Sequence, residues 1–385
     1  MKKILITTLE YPPQIGGIAT YVHQMAQALD TEKVVVLAPK MKGDKEWDEQ
    51  VKYKVIRKNQ LFPKFIWPRW IKVIFQIRKI VKQEGIEIIL INHVLPIGYA
   101  GWFIKKMFKV PYIIVSHGTD ILMGTRNAWK TNMMKKVVTL AEQIIFNSES
   151  LRRHFLRVLP EFENKSTVSY PCPDKDLLIP PLSEKVDSLR RMLALEGKKV
   201  MLTVSRMDEG KGFPHLVRAL PAILKSEPHA VWVIIGDGPK RKEILDDIQK
   251  HSLQNVVRYI GEVPHQDLKT YYYLADLFVL FTHPDEGREE GLGLVFLEAA
   301  AAGLPVVAGK SGGVEEAVVH TQTGVIIDIR QQAMAMSDSI VALLHNGDYA
   351  SQLGQQARAR IESDFRWDHQ LQKLEPWIGN INFQQ

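Results

Sequence analysis

The sequence predicts an α/β protein built from two doubly wound domains. Three observations support this prediction. The chain has 385 residues, which exceeds the size of one ordinary hydrophobic core. Short runs rich in Val, Ile and Leu alternate with helical stretches, and this alternation occurs twice. Proline density peaks between the two series, at positions 171, 173, 180 and 181.

The predicted strands are short and nearly all apolar, as in parallel sheets covered by helices on both faces. In the first series they are 4–9, 34–38, 87–92, 112–116, 143–147 and 165–169. In the second they are 199–205, 230–236, 256–261, 277–282, 305–308 and 324–327. We therefore place a first domain at 1–171 and a second at 172–364. The remaining segment, 365–385, is expected to form an amphipathic helix from Phe365 to Ile378 that packs back on the first domain.

Composition indicates a soluble protein of a reducing compartment. A hydrophobic fraction of 45% with 24% charged residues is typical of globular proteins. The one cysteine, Cys172, excludes an intramolecular disulfide. The apolar run at the start breaks at Glu10 and the following prolines, too early for a signal peptide. The longest uncharged run, 88–104, contains Asn, His, Pro and Gly, so no membrane span is predicted. We expect a cytoplasmic protein.

The net charge of +7 is unevenly distributed. Residues 1–171 carry 27 Lys and Arg against 14 Asp and Glu, a balance of +13. The remaining residues carry 23 against 29, a balance of −6. The two halves are therefore expected to meet different partners.

Arg206 and Lys211 follow the first strand of the second series. Ligands bind at the carboxyl ends of the strands of a parallel sheet. A guanidinium fork and a point ammonium at this edge could neutralise two phosphates without a metal. The alternative is that both are solvated loop cations.

Glu290 and Glu298 bracket a glycine-spaced turn that opens a helix. Backbone N–H groups at a helix start can hold a phosphate. Glu298 could accept hydrogen bonds from ribose hydroxyls and Glu290 from a sugar hydroxyl. The alternative is a chance pair of surface acids on a solvated helix. Eight helical residues would separate them by about 12 Å along the axis, which exceeds the spacing in glycosidases. The turn between them consists of Gly291, Leu292, Gly293 and Leu294.

In the first half, Gly16 and Gly17 link the first strand to the first helix. Adjacent glycines allow a tight bend and expose N–H groups to an anion. The segment lacks the G-x-G-x-x-G fingerprint, so an NAD-dependent enzyme has little support. His117 follows the strand 112–116 and could bind a sugar hydroxyl or a backbone carbonyl. A packed or capping histidine is the alternative.

Two further patterns are interpreted as structural. Gly236 and Gly238 permit close backbone approach, but an ordinary turn explains them. Asp174 and Asp176 form the D-x-D pattern that chelates a metal in other transferases. They lie in the proline-rich seam, away from the strand ends, so we assign no metal to them.

These patterns together resemble the retaining glycosyltransferases of family four. The resemblance covers nearly the whole chain and rests on five motifs in order, each at a strand–helix junction. They are Gly16-Gly17, His117-Gly118, Ser205-Arg206 with Lys211-Gly212, Gly236-Asp237-Gly238, and the pair Glu290 and Glu298. Within the family, the chain looks most like the phosphatidylinositol mannosyltransferase type. The resemblance implies a GT-B fold, in which two Rossmann-like domains face each other across a cleft.

The resemblance also implies residue roles. Arg206 and Lys211 would neutralise the diphosphate, and Glu298 would hold the ribose. Glu290 and His117 would contact the donor sugar. The implied donor-binding residues also include Gly16, Gly17, Gly291, Leu292, Gly293 and Leu294. One departure from the family pattern could affect which sugar fits, because Asp285, Glu286, Arg288 and Glu289 crowd the approach to Glu290.

The resemblance implies retaining transfer of a hexose, mannose-like, from a nucleotide-diphosphate sugar. A GDP-sugar is favoured over a UDP-sugar, and no metal or other cofactor is expected. The acceptor would be a hydroxyl on a lipid-linked molecule or a cell-envelope glycan.

A basic stretch bears on the acceptor. Residues 52–83 contain ten Lys and Arg residues and no acidic residue, with aromatic residues interleaved. A helical pattern begins at Trp67. Such a surface suits the headgroups of an anionic membrane, so we predict peripheral binding at the cytoplasmic face. The alternative is that this helix packs on the sheet and its cations are solvated.

Other functions are also compatible with these patterns. A sugar-nucleotide epimerase or a phosphorylase could share the architecture, although no lysine motif for a pyridoxal cofactor is visible. A non-catalytic nucleic-acid-binding protein would explain the basic half. No recognised nucleic-acid module occurs, so no nucleic-acid partner is expected.

Overall fold

The computed structural model describes residues 1–63, 65–285, 289–330 and 335–381. These residues form two compact units. Unit 1 contains Met1–Cys172 and the segment that begins at Arg366. Unit 2 contains Pro173–Phe365. Within the described residues, no helix combines the length and the apolar content that crossing a bilayer requires.

Unit 1 is built on a seven-stranded sheet in which every pairing is parallel. Its strands are β1 Ile4–Thr7, β2 Val34–Pro39, β3 Lys54–Lys58, β4 Ile88–Asn92, β5 Tyr112–Ser116, β6 Ile144–Phe146 and β7 Ser166–Val168. The order across the sheet is β3-β2-β1-β4-β5-β6-β7. The order reverses between β1 and β4, which opens a crevice at the carboxyl ends of these two strands.

The helices of unit 1 cover this sheet. They are α1 Gly17–Ala28, α2 Asp44–Asp48, α3 Ile71–Glu84, α4 Gly98–Phe108, α5 Thr119–Gly124, α6 Ala128–Leu140 and α7 Glu149–Val158. The apolar residues of α3 at 73, 74, 77 and 80 recur at helical spacing and are buried. They join the core formed by α3, α4, α6 and the sheet.

Unit 2 is built on a six-stranded parallel sheet in the order β10-β9-β8-β11-β12-β13. Its strands are β8 Lys199–Val204, β9 Ala230–Ile235, β10 Val257–Gly261, β11 Leu277–Leu280, β12 Val306–Gly309 and β13 Val325–Ile327. Its helices are α8 Ser183–Met192, α9 Phe213–Ser226, α10 Arg241–Lys250, α11 Leu268–Leu274, α12 Leu294–Ala301, α13 Val314–Ala317, α14 Ala335–His345 and α15 Gly347–Asp364. The order reverses between β8 and β11.

The predicted fold class is confirmed, and each predicted strand is present. Strand β3 was not predicted from the sequence. This strand has only two apolar residues, Val55 and Ile56, among cations, and none of its residues is fully buried. It lies at the edge of the sheet and pairs only with β2 among the described strands. An edge strand needs little apolar surface, so it lacks the signal that identified the other strands.

The prediction of one helix from Phe365 to Ile378 is wrong. Two short helices, α16 Trp367–Gln372 and α17 Glu375–Ile378, occupy this segment. Pro376 lies at the start of α17, where its missing N–H group is tolerated and where a continuous helix would be broken. The segment packs on the rest of unit 1: the backbone N–H of Lys2 donates to the Ile378 carbonyl at 2.7 Å, and Ser169 Oγ donates to the Gln370 carbonyl at 3.1 Å.

Gly212 holds the loop between β8 and α9 against the end of β11. Its φ is 73°, in the left-handed region that favours glycine. A Cβ at this position would lie 2.1 Å from the backbone oxygen of Phe281, which has no side-chain freedom to move away. Gly197 provides a matched comparison, because its φ is 68° and no atom lies within 4 Å of the equivalent Cβ position.

Gly212→Ala is therefore expected to destabilise unit 2 more than Gly197→Ala. The left-handed backbone alone costs a non-glycine residue about 1–2 kcal/mol, and the steric overlap at residue 212 adds about 1–3 kcal/mol. Urea unfolding of the two variants measures the difference. Equal losses of unfolding free energy would show that the contact with Phe281 is unimportant.

Candidate functional site

Lys211 and Glu290 meet in unit 2, as part of the predicted site. Lys211 Nζ donates to Glu290 Oε2 at 2.6 Å. Their side chains are 26% and 18% exposed, so the ion pair is only partly solvated. Lys211 lies in the loop after β8 and Glu290 in the loop after β11, and these two strands are neighbours where the strand order reverses. Folding thus joins two groups that are 79 residues apart in the sequence.

Arg206 lies in the same loop as Lys211 but faces solvent. Its side chain is 69% exposed, and Nε lies 3.4 Å from Asp208 Oδ2. An exposed ion pair of this length is weak. The guanidinium is therefore available to an anionic ligand at small energetic cost.

The loop that carries Glu290 is attached to the loop after β12. The Glu290 N–H donates to Ser311 Oγ at 3.1 Å, and the Gly313 N–H donates to the Glu290 carbonyl at 3.0 Å. Ser311 is buried, and its role was not predicted from the sequence. It follows a strand end, so the rule that identified Arg206 could also have identified it.

Glu290 does not belong to a helix, which corrects one expectation. Helix α12 begins at Leu294, and Gly293 is its N-cap residue, with φ 85° and no side-chain cap. The distance of about 12 Å expected for eight helical residues therefore does not apply, and the spacing does not exclude a glycosidase. Gly291 and Gly293 lie in the turn before α12, and Leu292 is 2% exposed and packs into the interior.

Glu298 is buried in a hydrogen-bonded network rather than exposed on a helix. Its side chain accepts from His265 Nε2 at 3.1 Å through Oε1 and from Tyr272 at 2.7 Å through Oε2. Burial raises the pKa of Glu298, but the bonds and charge of its partners outweigh burial and hold this pKa below its usual value. For His265, burial lowers the pKa, and the bond and charge of Glu298 outweigh it, so the pKa is raised. The negative charge of Glu298 and the positive charge of a protonated His265 therefore stabilise each other.

His265 was not predicted from the sequence. It lies in the loop after β10, again at the carboxyl end of a strand. His265 follows Pro264 and lies among charged residues, as residues of surface loops commonly do, so the local sequence did not distinguish it from them. The contact with Glu298 becomes visible only in the fold, because 33 residues separate the two.

In unit 1, Gly16 and Gly17 lie at the start of α1, as predicted. Gly16 is the N-cap residue, and no side chain caps the helix. The first N–H groups of a helix without such a cap can bind an acceptor. Glu10 lies nearby: a Cβ at Gly16 would be 3.9 Å from Glu10 Oε2.

His117 lies at the end of β5 and bonds to the end of β4. Its Nε2 lies 2.9 Å from Asn92 Oδ1. Burial lowers the pKa of His117 to about 3, with a smaller contribution from His93 and an opposing one from Asp120. The imidazole is therefore neutral at physiological pH, and it could hydrogen-bond a sugar hydroxyl without carrying a charge.

The turn glycines have packing reasons. A Cβ at Gly236 would lie 2.0 Å from the Ser205 carbonyl oxygen, and one at Gly238 would lie 2.3 Å from that of Met207. These glycines let the loop after β9 pack on the loop after β8. They therefore support the position of Arg206 rather than form a separate site.

The D-x-D pair has structural partners. Asp174 accepts the N–H of Asp176 as a cap of the 3-10 helix at Lys175–Leu178, and Asp176 accepts from Lys269 at 2.9 Å. No cluster of three or more His, Cys, Asp or Glu residues suited to a metal occurs in the described ranges.

The predicted crowding before Glu290 involves residues only partly described. Glu286 and Arg288 lie outside the described residues. Asp285 and Glu289 lie at the two edges of that gap.

Comparisons with known proteins agree with the motif pattern. Residues 15–176 match the family model described as Glycosyltransferase Family 4. Residues 186–360 match the family model described as Glycosyl transferases group 1. The two matches fall almost entirely within unit 1 and unit 2, respectively.

Relatives and solved structures match over nearly the full chain. A GDP-mannose-dependent alpha-(1-6)-phosphatidylinositol monomannoside mannosyltransferase of Mycobacterium tuberculosis is 26% identical, over 98% of each chain. A glycogen synthase of the same organism is 27% identical, over 95% of this chain and 91% of its own. The crystal structure of HepE from Anabaena, in complex with UDP and glucose, has a TM-score of 0.83 at 20% identity, over 99% of this chain and 100% of its own. The predicted resemblance is confirmed: the chain belongs to the glycosyltransferases that combine a family 4 domain with a group 1 domain in a GT-B fold.

Proposed function

We propose that this glycosyltransferase moves a mannose-like hexose from a nucleotide-diphosphate sugar, with GDP favoured over UDP, to a hydroxyl of a lipid-linked acceptor or cell-envelope glycan. The ion pair of Lys211 and Glu290 carries the proposal. It places a cation that could bind phosphate beside a carboxylate that could accept hydrogen bonds from sugar hydroxyls. Both lie at the carboxyl ends of parallel strands, where ligands bind.

The ion pair explains how one site serves both parts of the donor. A diphosphate offers Lys211 a stronger anionic partner than one carboxylate does. When Lys211 turns to the phosphates, Glu290 Oε2 becomes available to accept a hydrogen bond from a hydroxyl of the sugar. Arg206 has only a weak partner and adds a second positive charge.

The leaving diphosphate is stabilised by the protein itself in this proposal. Lys211, Arg206 and the first N–H groups of α12 face the negative charge that develops as the sugar–phosphate bond breaks. The acceptor hydroxyl attacks the same face of the sugar, so the anomeric configuration is retained. We assign no protein nucleophile and no metal, and His117 is proposed to contact the donor sugar.

The ribose and the base are proposed to bind near Glu298. Among the described residues, each oxygen of Glu298 has one hydrogen-bond partner, so each retains a lone pair for a ribose hydroxyl. The preference for GDP rests on the relative from Mycobacterium tuberculosis whose name includes GDP-mannose. The same relative, named for a phosphatidylinositol monomannoside, supports the lipid-linked acceptor.

The proposed membrane contact is the basic aromatic surface, defined as the exposed aromatic, apolar and cationic side chains between residues 65 and 130. Helix α3 buries Val73 and Ile77 but exposes Phe75, with 62% of its area accessible. Trp67 is 80% exposed. Exposed aromatic residues beside cations suit the boundary between headgroups and acyl chains. The helix thus packs on the sheet, as the alternative required, and still presents a basic outer face.

Cations in this surface lie next to aromatic rings. Arg78 lies over Phe108, with 4.8 Å to the ring centroid, and Lys106 lies over Trp102 at 5.1 Å. Arg78, Lys79 and Lys82 are all exposed on α3. A charged headgroup could therefore meet cations and aromatic rings together.

Lys211→Ala is expected to weaken donor binding ten- to hundredfold, because a charge-assisted hydrogen bond is worth about 1.5–3 kcal/mol. Calorimetry with a panel of GDP- and UDP-sugars in EDTA measures this and identifies the base and the sugar. Lys225→Ala, an exposed lysine on α9, is the matched control. Unchanged affinity in Lys211→Ala would remove Lys211 from the site, and a requirement for divalent cations would refute metal-independent binding.

Glu298→Gln is expected to lower the pKa of His265, because it removes the charge that raises it. Because the folded pKa of His265 is raised, the contribution of this residue to the free energy of unfolding is complete below pH 6.5. It is lost as the pH rises through the folded pKa. Because the folded pKa of Glu298 is lowered, the contribution of this residue to the free energy of unfolding is complete above pH 4.5. It is lost as the pH falls through the folded pKa. The variant should therefore lose most stability between pH 4.5 and 6.5.

NMR titration of His265 and urea unfolding across this pH range measure both effects. Glu227→Gln, which changes a carboxylate elsewhere in the same unit, is the matched control and should leave the His265 titration as in wild type. A His265 titration that is the same in wild type and variant would contradict the assigned pair.

Reversing three cations of the basic aromatic surface, Arg78→Glu, Lys79→Glu and Lys82→Glu, should abolish most binding to anionic vesicles. Each cation near such a surface contributes about 1 kcal/mol, so the three reversals together should lower the affinity for the vesicles at least about a hundredfold. Sedimentation with phosphatidylglycerol vesicles at low salt measures the loss. The control of equal charge reverses three exposed lysines of unit 2, in the variant Lys225→Glu, Lys242→Glu and Lys250→Glu. Equal losses of binding in the two triple variants would show that only the net charge of the protein matters.

A further inference from the structure

Unit 1 contains a further pair of polar side chains, Glu10 and His93, at the edge where its strands end. Glu10 follows β1 and His93 follows β4, so both lie where the strand order reverses. His93 Nε2 lies 3.8 Å from Glu10 Oε1. This distance is too long for a hydrogen bond and leaves both atoms open to a ligand.

The backbone of His93 is strained. Its φ is 89°, in the left-handed region that non-glycine residues rarely adopt. The His93 N–H donates to the Val115 carbonyl at 3.0 Å, which holds the strained conformation against β5. Strained residues concentrate at functional sites, where the surrounding fold maintains them.

The hydrogen bonds of His93 define its tautomer. His93 Nδ1 lies 2.7 Å from the backbone oxygen of Asn92, which can only accept a hydrogen bond. Nδ1 therefore carries the proton, and Nε2 of the neutral ring carries the lone pair. Among the described residues, Nε2 has no hydrogen-bond partner.

His117 has the opposite tautomer, and the same asparagine determines it. Asn92 Nδ2 faces the Thr7 carbonyl at 3.4 Å, so Asn92 Oδ1 faces His117 and accepts from its Nε2. The two imidazole rings lie 5.6 Å apart between centroids. Asn92 thus holds both rings in fixed protonation patterns.

We propose that His93 and Glu10 bind two hydroxyl groups of the acceptor, a sugar or another polyol. Nε2 of His93 accepts the hydrogen of one hydroxyl, and the carboxylate of Glu10 accepts that of a neighbouring hydroxyl. Two acceptor atoms side by side repel an anion and favour a ligand with adjacent donors. The start of α1 lies beside Glu10 and stabilises its negative charge. This inference rests on the proposed function for naming the ligand an acceptor.

The first test measures binding of octyl α-mannoside to the whole enzyme without a donor. His93→Asn suits the experiment, because asparagine tolerates a positive φ but is too short to reach the same ligand atom. The variant should lose about tenfold in affinity, the value of one hydrogen bond to a buried group. His154→Asn on α7 of the same unit is the control and should bind as wild type does.

In wild type, the His93 ring signals should shift as octyl α-mannoside is added. No binding by wild type, unmoved His93 signals, or equal binding by His93→Asn would overturn the proposal. Calorimetry with GDP-mannose separates this result from the proposed function. Loss of polyol binding in a variant that still binds GDP-mannose supports both, whereas a wild type that binds the polyol but no nucleotide sugar refutes only the proposed donor.

A glycine substitution separates the role of His93 in binding from a role in folding. His93→Gly relieves the strained backbone, which offsets stability lost with the buried ring, so the variant should melt close to wild type and still fail to bind the polyol. A marked fall in melting temperature would show that His93 serves the fold, and the proposal would be overturned.

Discussion

The all-parallel pairing of both sheets is the constraint on which the rest of the structure depends. Parallel strands require crossover connections, so all of their carboxyl ends emerge at one edge of each sheet. Loops that follow neighbouring strands must then meet at that edge, whatever their distance in sequence. The groups assembled in this way are Glu10, His93, His117, Arg206, Lys211, His265, Glu290 and Ser311.

Two acidic site residues of unit 2, Glu290 and Glu298, have basic partners within the unit. Lys211 is paired with Glu290, and Glu298 faces His265. A half-buried ion that lacked a partner would be costly, so these pairs let the chain place charges beside a ligand edge and remain stable. A donor can replace one partner of such a pair by another of the same sign. In the proposed complex the diphosphate would replace Glu290 as the partner of Lys211, and a sugar hydroxyl would then donate to Glu290.

Unit 1 uses helix α3 in two ways. Its buried positions, such as Val73 and Ile77, complete the hydrophobic core, while Phe75 and three cations face outward. Because a helix has distinct faces, packing on a sheet and binding a surface are compatible in one element. Membership in the glycosyltransferase family leaves little support for the nucleic-acid alternative that the basic half raised.

The amino-acid sequence was sufficient for the fold class, for every strand with a continuous apolar run, and for the family, because hydrophobic periodicity and strand-end motifs are local signals. It was insufficient for β3 and for the break between α16 and α17, where cations or a single proline outweigh the periodic pattern. Only the tertiary structure revealed the partners of the site residues: Glu290 for Lys211, His265 for Glu298, and Asn92 for two histidines. These partners come from loops that follow different strands, and their contacts arise from the order of strands in the sheet, which local sequence does not encode.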